Sequence, residues 1–587
     1  FGATLAGIGN STIVNSAIAG IQLEDTGSAV AAVVANCIVR NNASAVVTVG
    51  PNAGMIARYS NIEGGFPGPG NIDLPAGFVD GPGGDYHLGA ASPCVDAGDN
   101  NFVASDLTID PDGTPRFLDD FGVADTGLGS APIVDMGAYE RKHPIRLVDG
   151  TATGGSHGLT WADAYVDLQD ALDETASGEV EEVWVAAGTY LPDRGTGDRT
   201  LSFNMRSGVA IIGGFAGGET DAAARDPIAN ATTLGGAIGA SGTADNSYHV
   251  VRADNVDSTG KLIGFIVQRG NADGPQATFD NRGGGLFIDG GGPTVRECRI
   301  RLNTCAAFGA GVFCEDADPE FGRCRVNLNE SAGDGGGMAF FLSEPLIVDC
   351  SVNGNTADDE AGGLVFYSNS VGEIVNCSVT GNAAPTAPTG GLQVSGGSAV
   401  TVRNTVLWGN TGTSAFPQTQ QLRVLTPSTL DIGSSTVEGW TGSLGGTANS
   451  GDDPLFVDID GPDNIFGTAD DDTHLLPGSP CIDSADASAL PVQVSLDLSG
   501  DPRYMDDPGT ADSGLGTPSF LDRGCYEFQG TSAPPCLADL DGDGLVDGAD
   551  LGLLLANWGG AGSGDLDGSG TIDGADLGLL LAAWGNC

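Results

Sequence analysis

Through the middle of the chain, apolar residues come in short β-branched or aromatic runs separated by Gly and Asn, and the runs recur at a fixed spacing. Gly285, Gly311, Gly337 and Gly363 lead GLFI, GVFC, GMAF and GLVF at 26-residue steps (311 − 285 = 26), and Gly391 follows after 28. In phase, Cys298, Cys324 and Cys350 recur every 26 residues and Cys377 follows 27 later, each inside x-C-x-[IV]. Asn303, Asn329, Asn355, Asn382 and Asn410 stand five residues beyond each cysteine or beyond Thr405, which takes the cysteine's place. A period of this size, built from short strand-like runs with no helix pair per repeat, predicts a solenoid, and specifically a right-handed parallel β-helix. Equivalent residues of successive coils then lie about 4.8 Å apart. The cysteines are expected to stack inside as small hydrophobes. The asparagines are expected to form a buried ladder that satisfies turn backbone groups, rather than to act as ligands or catalytic groups.

A second, longer repeat sets the domain boundaries. HLGAASPCVDAGD (87–99) returns as HLLPGSPCIDSAD (474–486), and the stretch 110–140 returns as 497–527, both offset by 387 (474 − 87 = 387). Residues 1–140 are therefore expected to be the C-terminal part of a first β-helix module. Residues 141–150 follow as linker and first strand, 151–530 as a complete second module, and 531–587 as a small separate domain. The open end of a β-helix invites aggregation unless covered. The segment 160–172, TWADAYVDLQDAL, reads as a covering helix: Thr160 can N-cap it, Asp163 lies three residues on, and Trp161, Tyr165, Leu168 and Leu172 fall at helical spacing.

The last fifty residues contain one sequence written twice. DLDGDGLVDGADLGLLLANWG (539–559) and DLDGSGTIDGADLGLLLAAWG (565–585) superimpose with a shift of 26 (565 − 539 = 26). From Asp539, carboxylates fall at loop positions 1, 3, 5, 9 and 12: Asp539, Asp541, Asp543, Asp547 and Asp550. Gly544 stands at position 6, and the Leu545 carbonyl at position 7. The second copy offers Asp565, Asp567, Ser569, the Thr571 carbonyl, Asp573 and Asp576 around Gly570. A hard cation needs six or seven oxygens, and this is the spacing at which an EF-hand loop supplies them to calcium. Position 12 is Asp rather than Glu, and a convincing helix follows each loop but does not precede it. A further calcium site is expected between the FVD and HL segments of the second module. There the chain carries Asp458, Asp460, Asp463, Asp470, Asp471 and Asp472, of which Asp458, Asp460, Asp463, Asp470 and Asp472 are the candidate ligands; the first module has only GPGGDY at this point.

Charge narrows the partners. The net charge of −54 comes from 77 acidic against 23 basic residues, a field that repels nucleic acid and attracts divalent cations. No apolar run approaches 18 residues, so no membrane-spanning segment is expected. The chain opens in strand-like sequence without a signal peptide, and residue 1 is not expected to be the start of the gene product. Calcium loops point to a location outside the cell, secreted or at its surface. Cys481 with Cys525, and Cys536 with Cys587, stand where disulfides could staple the ends of the main body and of the C-terminal domain.

The tandem loop-helix unit with Asp at position 12 resembles the type I dockerin family over about 50 residues. That resemblance implies binding to a cohesin-like domain on a scaffold or cell-surface protein. Positions 10 and 11, Gly548-Ala549 and Gly574-Ala575, differ from the hydroxyl pair common in cellulosomal members, and the near-identity of the copies would permit docking in two orientations. The stretch from the 150s to VWVAAGTY, with the GGG-L-F and x-C-x-V-x-x-N coils, resembles bacterial secreted right-handed β-helix proteins of the pectin-lyase-like and polymorphic-membrane-protein type. These motifs specify fold better than activity.

An enzyme that cuts acidic polysaccharides on such a fold needs calcium with an arginine, or a carboxylate pair with a positioning histidine. All five histidines (His87, His143, His157, His249, His474) lie outside the repeat faces. Arg296, Arg299 and Arg301, continued by Arg323 and Arg325, form the best candidate groove for an anionic glycan, against the alternative that they pair with acids on the outer face. The expected function is therefore a calcium-binding modular β-helix protein in surface structure, adhesion or scaffold attachment. The alternatives are a dockerin-borne polysaccharide lyase or glycoside hydrolase, and a self-associating subunit of an extracellular filament.

Overall fold

The structure is a computed structural model that describes residues 4–25, 30–89, 91–118, 123–130, 132–142, 144–178, 180–240, 242–491, 494–530, 538, 540, 545–546, 548–560, 564, 566, 569–582 and 584–586. It divides into two compact units, one of Phe1–Gly188 with Gly208–Asn230 and one of Thr189–Ser207 with Ala231–Cys587. The helices are α1 (Leu168–Glu174), α2 (Pro417–Gln421), α3 (Gly548–Ala556) and α4 (Gly574–Ala582). None of them is long and apolar enough to cross a membrane.

The second unit holds the parallel β-helix. A coil is four short strands, for example Leu286–Gly291, Thr294–Arg296, Arg299–Arg301 and Thr304–Cys305. Each pairs in parallel with its equivalent in the next coil: Leu286 with Val312, Val295 with Phe321, Ile300 with Val326 and Cys305 with Ser331. The 26-residue period is thus one turn of the solenoid. Alternation places Ile300, Val326, Val352, Val379 and Leu407 inward on one face. Phe287 over Phe313, and Phe340 over Phe366, fill another part of the core.

Both predicted ladders form, and the corners explain them. Glu297, Arg323, Asp349, Asn376 and Asn404 have φ between 50° and 55°, which turns the chain inward just before Cys298, Cys324, Cys350, Cys377 and Thr405. The Cys324 N–H then donates to Cys350 Sγ (3.3 Å), Cys350 N–H to Cys377 Sγ (3.4 Å) and Cys377 N–H to Thr405 Oγ1 (3.4 Å). At the next corner Asn303 N–H and Nδ2 both donate to Asn329 Oδ1 (3.1 and 3.0 Å), and the pattern runs through Asn355 and Asn382 to Asn410, where Gln421 Oε1 ends it. Every amide in this column is buried and bonded, so it fixes coil spacing without leaving an unsatisfied donor.

Two expectations need correction. The covering helix does not begin at Thr160. Thr160 and Asp163 do exchange hydrogen bonds, but around a single turn, because the backbone of Tyr165 is drawn into pairing with Leu147 and Asp149. Helix α1 starts only at Leu168, with Asp167 as its cap, and packs Leu168, Ala171 and Leu172 against strands Ile145–Val148 and Glu182–Ala186. Trp161 sits outside it, with its indole N–H on Glu219 O (2.8 Å).

The staple between Cys481 and Cys525 is also absent, and both are buried free thiols. Cys481 Sγ lies at Thr436 Oγ1 (3.4 Å) and Cys525 N–H donates to Ser378 Oγ (3.2 Å). The register Ser378, Val406, Thr436 puts those anchors two coils apart, about 9.6 Å, beyond the reach of a disulfide. Cys536 and Cys587 lie outside the described residues.

The first unit carries shorter ladders of the same kind, with Thr4–Gly9, Val30–Ala35 and Ala53–Arg58 parallel, and Thr12–Val14, Ile38–Arg40 and Asn61–Ile62 beside them. A hairpin of Phe78–Asp80 and Asp85–Leu88 opens its irregular closing segment.

Candidate metal centres

The C-terminal loops feed two helices whose apolar sides meet. Leu554 and Leu580 are buried with Val546 and Ile572, and Leu551 and Leu577 pack at the edge. Of the predicted ligands, Asp539, Asp541, Asp543, Asp547, Asp565 and Asp567 lie outside the described residues. Leu545 is in a short strand paired with Asn586. Asp550 and Asp576, at position 12 of each loop, are wholly buried. Each accepts the N–H of position 2: Leu540 N–H on Asp550 Oδ1 and Leu566 N–H on Asp576 Oδ1, both 2.7 Å. Asp576 Oδ2 also takes the Asp573 N–H (2.7 Å), while Asp573 Oδ1 caps Ala575 N–H (2.8 Å). Ser569 Oγ donates to the Thr571 carbonyl (3.2 Å), so these two oxygens lie together on the outer rim of the second loop.

Residues 531–587 contain nine aspartates and no Lys, Arg, His or Glu. Two of those carboxylates are buried with no cationic side chain in the sequence of their domain to balance them, and an oxygen-only acidic set of this kind fits a hard divalent cation.

In the insertion of the second module, Asp463, Asp470 and Asp471 come together, a carboxylate oxygen of each lying within 4.8 Å of the others. Asp458, Asp460 and Asp472 are not part of this group; Asp472 Oδ1 instead binds His474 Nδ1 (2.6 Å). The loop's own donors serve the cluster: Thr468 Oγ1 reaches Asp470 and Asp471, and Gly467 N–H and Asn353 Nδ2 both reach Asp471 Oδ2 (2.6 Å each). With Asn327 Nδ2 donating to Gly467 O, these bonds latch the loop onto the β-helix. A Cβ on Gly381 would strike Phe466, and one on Gly354 would strike the Phe466 carbonyl, so glycine at these left-handed corners also admits the loop.

The arginine cluster is mostly engaged in structure. Arg296 pairs with Glu320, Arg323 with Glu297, and Arg301 Nε donates to Gln268 (3.1 Å). Arg325 donates to Tyr526 OH (3.2 Å), and Arg299 stands in register beside it, its pKa lowered by burial and by Arg325 and Arg301.

Three features lay outside the reach of periodicity. Arg503 is completely buried between Asp349 (2.5 Å) and Glu527 (3.2 Å), tying the closing segment to a coil corner. Asn404 clamps the same segment, its Oδ1 accepting Asp486 N–H (2.7 Å) and its Nδ2 donating to Asp486 O (2.9 Å). On a different face the hydroxyl of Tyr367 lies between Asp334 Oδ2 (3.1 Å) and Glu360, beside Phe308 and Phe341. Burial and the neighbouring Glu360 push Asp334 up to about 6.

These coils, corners and ladders define a right-handed parallel β-helix. A family model described as right handed beta helix region matches residues 248–407. No curated protein matches the chain. Among solved structures, the crystal structure of pectate lyase Pel9A aligns at 13% identity and a TM-score of 0.35, covering 66% of this chain and 96% of that one.

Proposed function

We propose that this is a calcium-binding modular protein of the cell exterior, in which the β-helix serves as a rigid surface or adhesive body and residues 538–586 attach it to a partner. The observation that carries the reading is the acid-only C-terminal domain with Asp550 and Asp576 buried in its loops. Self-repulsion among nine aspartates opposes a compact state, and calcium supplies the missing attraction, so metal binding and folding are coupled. The two loop-helix units also expose the same residues: Leu553 and Leu555 on one helix with Trp558 just beyond its end, and Leu579 and Leu581 on the other with Trp584 just beyond its end. A doubled apolar face supports docking to a cohesin-like domain in either of two orientations. The test is binding of the full chain to a panel of cohesin domains in calcium and in EDTA. Binding should require calcium, survive Trp558→Ala or Trp584→Ala singly, and fail in the double variant. Unchanged helical signal from a 531–587 fragment in EDTA, or no cohesin bound in calcium, would sink the attachment reading.

A second reading, a polysaccharide lyase or glycoside hydrolase, is supported by Asp334 and Glu360. Two carboxylates on one hydroxyl, one of them with its pKa raised by burial and by the other, and flanked by aromatic rings, could provide acid–base chemistry to a sugar. Release of unsaturated or reducing ends from acidic polysaccharides, lost in Glu360→Gln, would establish it; no release from any substrate would remove it.

A further inference from the structure

We infer that Asp483, Asp506 and Asp512 form a calcium site in the closing segment of the second module, separate from the C-terminal loops and independent of how those loops function. One carboxylate oxygen from each of the three lies within 4.8 Å of the other two. What distinguishes this group from an ordinary acidic surface is Asp483. Its residue is fully buried, and neither carboxylate oxygen receives a hydrogen bond of ordinary geometry. A buried carboxylate with no donor closer than the poorly aligned Asp507 N–H is costly to keep ionised, and native folds do not retain such a group without compensation. The charged side chains that act on it are Asp506, Asp512 and Asp507, all of its own sign; with burial they outweigh the favourable Asp507 N–H and push its carboxyl up to about 6. Asp512 and Asp506 are exposed, so the group is open to solvent on one side. Asp512 Oδ2 accepts a bond from Ser519 Oγ (3.2 Å).

The backbone is built to hold this arrangement. Asp483 occupies a left-handed corner (φ 49°), its N–H donating to Asp522 Oδ1 (2.7 Å) and its carbonyl accepting Ser513 N–H (2.8 Å) and Gly514 N–H (2.9 Å). These bonds bring the 506–514 loop back over the Asp483 carboxylate. The first module repeats the scaffold: Asp96 N–H donates to Asp135 Oδ1 (2.7 Å), and the Asp96 carbonyl accepts Thr126 N–H (2.9 Å) and Gly127 N–H (3.0 Å). At the 387 offset its sequence carries the same three acids, Asp96, Asp119 and Asp125, with Asp119 outside the described residues.

The donor set selects the ion class. Three carboxylates with no imidazole or thiolate disfavour zinc and copper, and an irregular loop without imposed octahedral geometry suits calcium, completed by water, better than magnesium. Binding would place two positive charges against three negative ones and satisfy Asp483 in its ionised form.

Hydrogen exchange of the full chain in calcium chloride, magnesium chloride and EGTA tests the assignment. At calcium 100 times its Kd, opening of the 505–515 loop should be suppressed about 100-fold relative to EGTA. In Asp512→Asn that difference should vanish while any calcium effect at 539–585 persists, and bound calcium per chain should fall by one. Equal exchange of wild-type 505–515 in calcium and EGTA would overturn the proposal. So would a calcium effect on this loop that survives Asp512→Asn, or magnesium protecting it as well as calcium.

Discussion

The closing segments of the two modules, residues 85–140 and 472–527, have nearly the same internal wiring but rest on different surroundings. In both, a buried arginine bonds a buried glutamate: Arg116 to Glu140 (3.0 Å) and Arg503 to Glu527 (3.2 Å). In both, an asparagine at a coil corner clamps an aspartate backbone on both sides: Asn36 on Asp99 and Asn404 on Asp486. The difference is in what the arginine meets beyond its own segment. Arg503 adds Asp349, a residue of the coil wall, whereas Arg116 Nη2 ends on the Ala138 carbonyl (2.5 Å). A duplicated sequence thus reproduces its local hydrogen bonds, while the charge it must balance depends on the coils it lands on.

The sharpest way to break this comparison is to remove each arginine. Truncating one partner of a buried pair costs about 3–5 kcal/mol because the remaining charge is stranded. Arg503→Ala strands two carboxylates and is expected at the top of that range; Arg116→Ala strands one and is expected lower. Hydrogen exchange of peptides from each closing segment reads the two effects separately. Equal destabilisation by the two variants would mean that Asp349 contributes nothing to the clamp.

The coil ladders give the next largest effect. Asn355 Oδ1 accepts both the N–H and the Nδ2 of Asn329, all buried, so Asn355→Ala leaves two donors without a partner, at about 1–3 kcal/mol each by the usual cost of an unsatisfied buried group. In the first unit Asn42 Oδ1 accepts Ser16 N–H (2.8 Å) and its Nδ2 donates to the Ile13 and Arg40 carbonyls (2.9 and 3.0 Å), but the side chain and these partners are only partly buried, so Asn42→Ala should cost about 1 kcal/mol. Comparing the loss of protection in the adjoining strands measures both, and a larger effect at Asn42 would contradict the ladder argument.

The ladders were legible in sequence because each member sits at the same phase of the repeat and needs only its copy in the next coil. The closing segments were legible only as a repeat. Their landing points, Asn404, Asp349 and Asn353, lie on coils far away in sequence, and no periodicity links them to Asp486, Arg503 or Asp471. One trace was present: the left-handed corner before each ladder Asn is Leu302 and Leu328 in two coils but Gly354, Gly381 and Gly409 in the next three. The glycine corners are those that face Phe466 of the 459–471 loop, while the loop's Gly467 rests on Leu328 of the preceding coil. The covering helix was misplaced for the opposite reason, a local capping signal at Thr160 that a turn satisfied just as well. In the C-terminal loops the proposed ligands share one short segment at a recognisable spacing, while the acids grouped around Asp483 come from separate turns and carry no such signature.

The loop itself offers a smaller test. Asn353→Ala removes one bond to the partly exposed Asp471 and should loosen residues 459–471 by about 1 kcal/mol without affecting the ladder. The first module has no counterpart to lose, because its hairpin closes directly from Asp80 to Asp85. Exchange at 459–471 that is unchanged in the variant would show that Phe466 and the glycine corners, rather than the polar latch, hold the loop.

The smallest expected effect distinguishes the two histidines of the repeat. His87 lies between Asp85 Oδ1 (2.5 Å) and Asp112 Oδ2 (2.6 Å), whereas the second module has Ser499 in place of Asp112, 3.4 Å from His474 Nε2. Burial opposes the charged imidazole of His87, but hydrogen bonds and attraction from the two carboxylates outweigh it and raise its pKa. A histidine raised by partners gained on folding contributes stability that is fully present below its unfolded pKa and is lost as pH rises through its folded value. Asp112→Ser makes the first module resemble the second and should lower the His87 pKa, narrowing the window in which the pair helps. An NMR titration of the His87 ring, in wild type and variant, reads this directly. A titration midpoint that does not move would assign the whole upward shift to Asp85, and the replacement of Asp112 by Ser499 between the modules would then be without electrostatic consequence.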